Sequence, residues 1–103
     1  MSVDQTIHDW RTKIDALDEQ LVRLLNERSR CVVQIGRLKR AAHLPLYQPE
    51  REREILARVS SENPGPLSDT AIRRLFERIL DEARAVERGA MEPEEDAPAE
   101  GRK

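Results

Sequence analysis

Residues 7–42, IHDWRTKIDALDEQLVRLLNERSRCVVQIGRLKRAA, decide the fold. In this stretch Ile7, Trp10, Ile14, Leu17, Leu21, Leu24, Arg28, Cys31, Ile35, Leu38 and Ala42 recur in alternating steps of three and four. That spacing predicts one long helix with a continuous packing seam. Arg28 stands where a leucine is expected. A guanidinium keeps its charge in a protein, and burying it unpaired is very costly. Something anionic should meet it, either an acid of the protein or a bound small molecule.

Working outward, the first helix is expected from about Asp4 to about Ala42, capped by Thr6 or Asp4. Gly36 weakens it by about 1 kcal/mol relative to alanine without breaking it. Its expected length, roughly 55 Å, exceeds the width of a compact domain of this size. Pro45 ends it, and Pro49 suits the first turn of a second helix, where its missing N–H is not needed. That helix is expected to run to about Ser61, with Glu52, Ile55 and Val59 on one face. Glu62-Asn63-Pro64-Gly65-Pro66 is a loop by composition. Ser68 then caps a third helix, with Leu67 and Ile72 spaced for a hydrophobic staple. Its apolar stripe is Ile72, Leu75, Phe76, Ile79, Leu80, Ala83 and Val86, and Gly89 is expected to cap its end near Arg88. The reading is all-α: one very long, one short and one medium helix in a domain over residues 1–88, followed by a disordered acidic tail over 89–103. Leu25, Val32 and Val33 widen the apolar face of the first helix beyond what the shorter helices can cover, which predicts an intertwined homodimer.

Composition narrows the function classes. Among 103 residues, hydrophobic content is 38% and charged content 37%, which suits helices with long solvated faces. Residues 89–103 carry a net −3 and the body a net +1, so any anion site must come from local arrangement rather than bulk charge. A near-neutral body with three aromatics speaks against nucleic-acid binding. The stretch MSVDQTIHDW has no apolar core of signal-peptide length, and no run approaches the ~20 apolar residues of a membrane span. The expectation is a soluble cytoplasmic protein without membrane contact. The single cysteine, Cys31, excludes an intrachain disulfide and reads as a small buried hydrophobe. His8 and His43 lack ligand spacing, so neither a metal nor a cofactor is expected. No Ser/His/Asp, Gly-rich or Cys/His motif is present.

The charged residues that share the apolar faces are the informative ones. At 100° per residue Lys39 lies about 20° from Arg28, some 16 Å along the helix. Arg11 lies about 100° away from Arg28, which suits a pocket belonging to a partner chain. Glu87 continues the line of Leu80 and Ala83, and Glu52 shares a face with Ile55. Two cations and two acids therefore point toward a shared interior. Spacing alone leaves other readings open. Arg28 can be paired structurally with Glu52 or Glu87, or can set a coiled-coil register. Lys39 can snorkel near a helix end, and Glu87 can be solvated.

The run Arg11-Thr-Lys-Ile-Asp15-Ala-Leu-Asp18-Glu-Gln-Leu21-Val-Arg-Leu-Leu25-Asn-Glu-Arg28 resembles the start of the AroQ-class, all-helical chorismate mutases. So do Ile35-Gly36-Arg37-Leu38-Lys39, Tyr47-Gln48-Pro49-Glu50-Arg51-Glu52-Arg53-Glu54 and Asn63-Pro64-Gly65-Pro66. The likeness spans about residues 7–88. It implies an intertwined dimer with two equivalent active sites that convert chorismate, a dianion, to prephenate on the branch toward phenylalanine and tyrosine. It further implies that Arg11 serves the partner's site, that Arg28 holds a substrate carboxylate, and that Lys39 contacts the ether oxygen and a carboxylate. Glu52 would accept from the substrate hydroxyl, and Glu87 would donate to the ether oxygen. Two positions depart from the family pattern. Gln48 stands where aspartate is frequent, and Ala83 where some members carry a serine that contacts a carboxylate. Two alternatives are an isochorismate-pyruvate lyase on the same scaffold and a non-catalytic helical module that regulates another aromatic-pathway enzyme.

Overall fold

The computed structural model describes residues 2–92. Three helices follow one another, α1 (Val3–Ala42), α2 (Pro49–Ser61) and α3 (Asp69–Met91). The chain divides within α1 into two compact units, Met1–Cys31 and Val32–Lys103.

The N-terminal unit is a single amphipathic helix. Its start departs from expectation: Ser2 is the cap, its hydroxyl accepting the N–H of Gln5 at 3.0 Å and its carbonyl the N–H of Thr6 at 3.1 Å. Thr6 lies inside the helix, and its hydroxyl bonds back to the Ser2 carbonyl. Asp4 sits in the first turn, where its charge complements the helix dipole. The expected seam is present, but within the single chain Ile7, Trp10, Ile14, Leu17, Leu21 and Leu24 are all exposed. Cys31 is exposed as well, contrary to its reading as a buried hydrophobe, because it lies on the same uncovered seam of the helix.

The second unit contains the end of α1 together with α2 and α3. Val32 and Val33 are half-buried and Gly36 and Lys39 buried, whereas Ile35 and Leu38 remain exposed. The packed face is thus the Val32–Gly36–Lys39 line rather than the apolar seam. The C-terminus of α1 closes with paired bonds, Leu44 N–H to Lys39 carbonyl at 2.9 Å and His43 N–H to Arg40 carbonyl at 3.2 Å. This is a Schellman turn with His43, at φ 59°, in the left-handed position usually held by glycine. Pro49 opens α2 as its spacing predicts, and Ser68 caps α3 by accepting the N–H of Ala71 at 3.0 Å.

α2 and α3 pack on each other. Ile55 and Leu80 form the buried centre, and Leu56, Val59, Ile72, Phe76, Ile79, Ala83 and Val86 are half-buried around them. Leu75, counted in the expected stripe, is exposed. Asn63 knits the intervening loop: its side-chain amide donates to the Leu67 carbonyl at 2.7 Å and to Asp69 at 2.8 Å, and its oxygen accepts the Gly65 N–H at 3.1 Å. Gly65 has φ 76°, a conformation that a side chain disfavours. α3 runs past the expected cap, with Gly89 inside the helix, and ends at Met91. Glu92 is extended there because Pro93 follows it, and a residue before proline avoids the helical region. The rest of the acidic tail lies outside the described residues.

Candidate active site

Among the described residues Lys39 is the buried charge, with 7% of its surface exposed. A lysine reaches such a position only if its ammonium finds partners, since desolvating it otherwise costs several kcal/mol. Two are present. The ammonium donates to the carbonyl of Leu46 at 2.9 Å and forms an ion pair with Glu87 Oε2. Both follow from local structure. The Schellman turn folds the chain back beneath Lys39 and so presents Leu46. Gly36, one turn earlier on α1, lets α3 come close. A Cβ built on Gly36 would lie 2.9 Å from both the Cβ of Ala90 and the carbonyl oxygen of Glu87. Gly36 is therefore the close-approach residue that brings the backbone of Glu87 to Lys39. Sequence spacing assigned it only a helix-propensity cost.

Glu87 Oε2 is shielded from solvent, and no regular hydrogen bond reaches it among the described residues. Its polar contact is the ion pair with Lys39. The predicted direction of Glu87, along the line of Leu80 and Ala83, is the one observed. An anionic ligand able to draw the ammonium away would find an acid in place behind it.

Glu52 faces inward from α2 and is three-quarters buried, again as its spacing with Ile55 predicts. Its partner is Arg84 on α3, a residue for which the sequence reading assigned no role. Arg84 Nη1 lies 2.6 Å from both carboxylate oxygens of Glu52, and Nη2 meets Asp81 one turn back on α3. The hydrogen bond from Arg84 to Glu52 raises the guanidinium above its ordinary value; burial opposes this, and the charges of Glu52 and Asp81 add smaller increases. Arg84 lies four residues after Leu80, about 40° from the core line. That offset was the signal available for finding it.

The remaining expected residues fall as follows. Gln48 is exposed at the N-cap of α2. Its carbonyl accepts the N–H groups of Arg51 at 3.1 Å and Glu52 at 3.3 Å, and its side chain makes no cap bond. Ala83 is half-buried on the face of α3 that carries Glu87 one turn later. Arg11 and Arg28 belong to the N-terminal unit, where Arg11 is exposed and Arg28 half-buried. Among the described residues, no cluster of three or more His, Cys, Asp or Glu could hold a metal.

The helical chain that carries these residues is similar to known proteins in sequence and fold. Residues 10–88 match the description of chorismate mutase type II. This chain belongs to the type II chorismate mutase family. The chorismate mutase (form II) of Thermus thermophilus superposes with a TM-score of 0.79 at 42% identity, over 81% of this chain and 94% of that one. The chorismate mutase of Helicobacter pylori, solved in complex with prephenate, superposes with a TM-score of 0.79 at 27% identity, over 88% of this chain and 99% of that one. A bifunctional chorismate mutase/prephenate dehydratase of Neisseria gonorrhoeae is 40% identical over 87 residues, 84% of this chain. The chain spans about a quarter of the length of the curated relatives it matches, 24% in that case. The three-helix, strand-free architecture of the described residues is that of the type II chorismate mutases.

Proposed function

We propose that the protein is a chorismate mutase that converts chorismate to prephenate in phenylalanine and tyrosine biosynthesis. The reaction is an intramolecular Claisen rearrangement: the ether C–O bond breaks as a C–C bond forms, and no nucleophile, proton shuttle, metal or cofactor is required. A protein can speed it in two ways, by holding the flexible dianion in its compact reactive conformer and by stabilising charge that grows on the ether oxygen. The observation that carries the proposal is the buried Lys39 ammonium set against Glu87.

In this reading Lys39 turns from Glu87 to the substrate and meets the ether oxygen and a carboxylate. Glu87 takes up a proton and donates to the same oxygen. Glu52 accepts from the ring hydroxyl. Arg28 grips a carboxylate with its planar fork, a task for which arginine is better suited than lysine. Arg11 comes from the partner chain of a homodimer, which also covers the exposed apolar face of the N-terminal helix. Gln48 acts through its backbone N–H, and the contact that serine makes in some relatives is left at Ala83 to backbone or water. We assign the domain to residues 1–88 together with the end of α3, and the acidic tail to the residues of 89–103 that follow that helix, and place the protein in the cytoplasm. No helix of the described residues is long and apolar enough to cross a membrane. A role with another aromatic-pathway enzyme is compatible with this assignment.

The test is the loss of chorismate absorbance with pure protein. Arg28→Ala should lower kcat/KM by about 10²–10³-fold, the usual effect of removing one preorganised donor. If the wild-type protein leaves chorismate intact, or if Arg28→Ala matches it, the proposal fails. Isochorismate in a parallel assay distinguishes a lyase on the same scaffold.

A further inference from the structure

The cluster that joins α2 to α3 is built to do more than hold two helices together. Arg84 spans two acids: one nitrogen faces both oxygens of Glu52, and the other is tied to Asp81 on its own helix. Arg84 and Glu52 are both half-buried, with 31% and 23% of their side chains exposed. On α3 Arg84 lies one turn before Glu87, so the two ion pairs, Glu52–Arg84 and Lys39–Glu87, sit on successive turns of one helix. From this geometry we infer that Arg84 is a positioning residue for Glu52, fixing its carboxylate and offsetting its charge before an anionic substrate arrives.

The inference rests on the chorismate reading given above, and two physical reasons support it. A free glutamate loses up to about 2 kcal/mol of rotamer freedom when it is ordered, and Arg84 imposes that ordering before binding. An ionised carboxylate also has about four acceptor positions, so sharing one nitrogen between its two oxygens leaves others for a substrate hydroxyl. Charge is the second reason. A glutamate that accepts a hydroxyl proton of a dianion would, if uncompensated, repel the molecule it binds. With Arg84 in place the acceptor remains and the repulsion is offset. Asp81 keeps the guanidinium aimed, being on the same helix and half-exposed to solvent.

The test is steady-state chorismate kinetics on the full chain at low salt and at about 1 M salt, where screening shortens the Debye length to about 3 Å. The melting temperature of each variant is measured alongside. Arg84→Ala should raise KM about tenfold with a smaller change in kcat, the scale of a lost charge-assisted hydrogen bond. The increase should shrink at high salt, and Arg84→Lys should recover most of it. In a Glu52→Gln background, Arg84→Ala should add less than about a twofold effect, as expected for groups that act as one unit. Should Arg84→Ala not fold, Arg84→Gln keeps a donor without the charge and should show the same salt-dependent rise. An active wild type whose Arg84 variants lose melting temperature but keep KM, or lose equally with Glu52→Gln present, overturns the inference alone. A wild type inactive on chorismate overturns the parent proposal with it.

Discussion

At the scale of single residues, Glu87 faces two tasks that require different protonation states. In the unliganded protein it is the counter-charge of a buried lysine; in the proposed reaction it is a hydrogen-bond donor and must carry a proton. Glu87→Gln, which donates without taking up a proton, should keep kcat within about tenfold of wild type, whereas Glu87→Leu should lower it by about 10²–10³-fold, the usual effect of removing a preorganised donor. Steady-state chorismate kinetics on the two variants check this, and equal losses in both would remove Glu87 from the mechanism. The inward direction of Lys39, Glu52 and Glu87 was legible from helical spacing, because a charge on an apolar line must point where that line points. Their pairing was not. Spacing left Arg28 as a candidate partner for either acid, whereas Lys39 takes Glu87 and Arg84 takes Glu52. Which cation reaches which acid depends on helix separation and side-chain length, and neither is a periodic property.

Among the helices, the approach of α3 to the end of α1 depends on a missing methyl group. A Cβ at Gly36 would lie 2.9 Å from the Glu87 carbonyl oxygen, closer than such contacts allow, and the obstacle is backbone that cannot swing away. Gly36→Ala gains up to about 1 kcal/mol of helix propensity, and overpacking costs typically about 1–3 kcal/mol. The net expectation is a lower melting temperature together with a loss of kcat, since α3 must shift and carry Glu87 away from Lys39. Calorimetry and kinetics on the variant check both, and a variant with raised stability and full activity would show that the contact is slack. The boundaries of the helices were read well where a side chain announces them, as Pro49 and Ser68 do. They were read less well where several residues could serve or where the backbone decides. Ser2 displaced Thr6 and Asp4 as the first cap, and His43 took a left-handed turn that composition ascribes to glycine. Helix α3 passed through Gly89, which has open space around it, and stopped before Pro93.

For the molecule as a whole, the open question is what covers the exposed seam of the N-terminal unit. Ile14, Leu17, Leu21 and Leu24 are each about half exposed in the single chain, and a continuous apolar stripe of that kind marks an association surface. The proposed homodimer accounts for the stripe and for Arg11, whose angular offset from Arg28 suits a partner's pocket. The two requirements can be tested together. Arg11→Ala and Lys39→Ala should each be nearly inactive alone. Mixed in equal amounts and allowed to exchange chains, half the dimers would be hybrid, each with one intact site, so activity should return to about a quarter of wild type. Mixtures that stay inactive although mass spectrometry shows hybrid dimers would mean that Arg11 serves its own chain.

By itself the sequence determined the number, order and type of the helices, and the directions of three inward-facing charges. Both are written in local periodicity, which survives without knowledge of any neighbour. Tertiary structure alone decided that Gly36 is a contact rather than a weakness, that Lys39 is held by Glu87 and the Leu46 carbonyl, and that Arg84 stands behind Glu52. Those facts arise where segments distant in sequence meet within a few ångströms, and distance across a helix crossing has no signature along the chain.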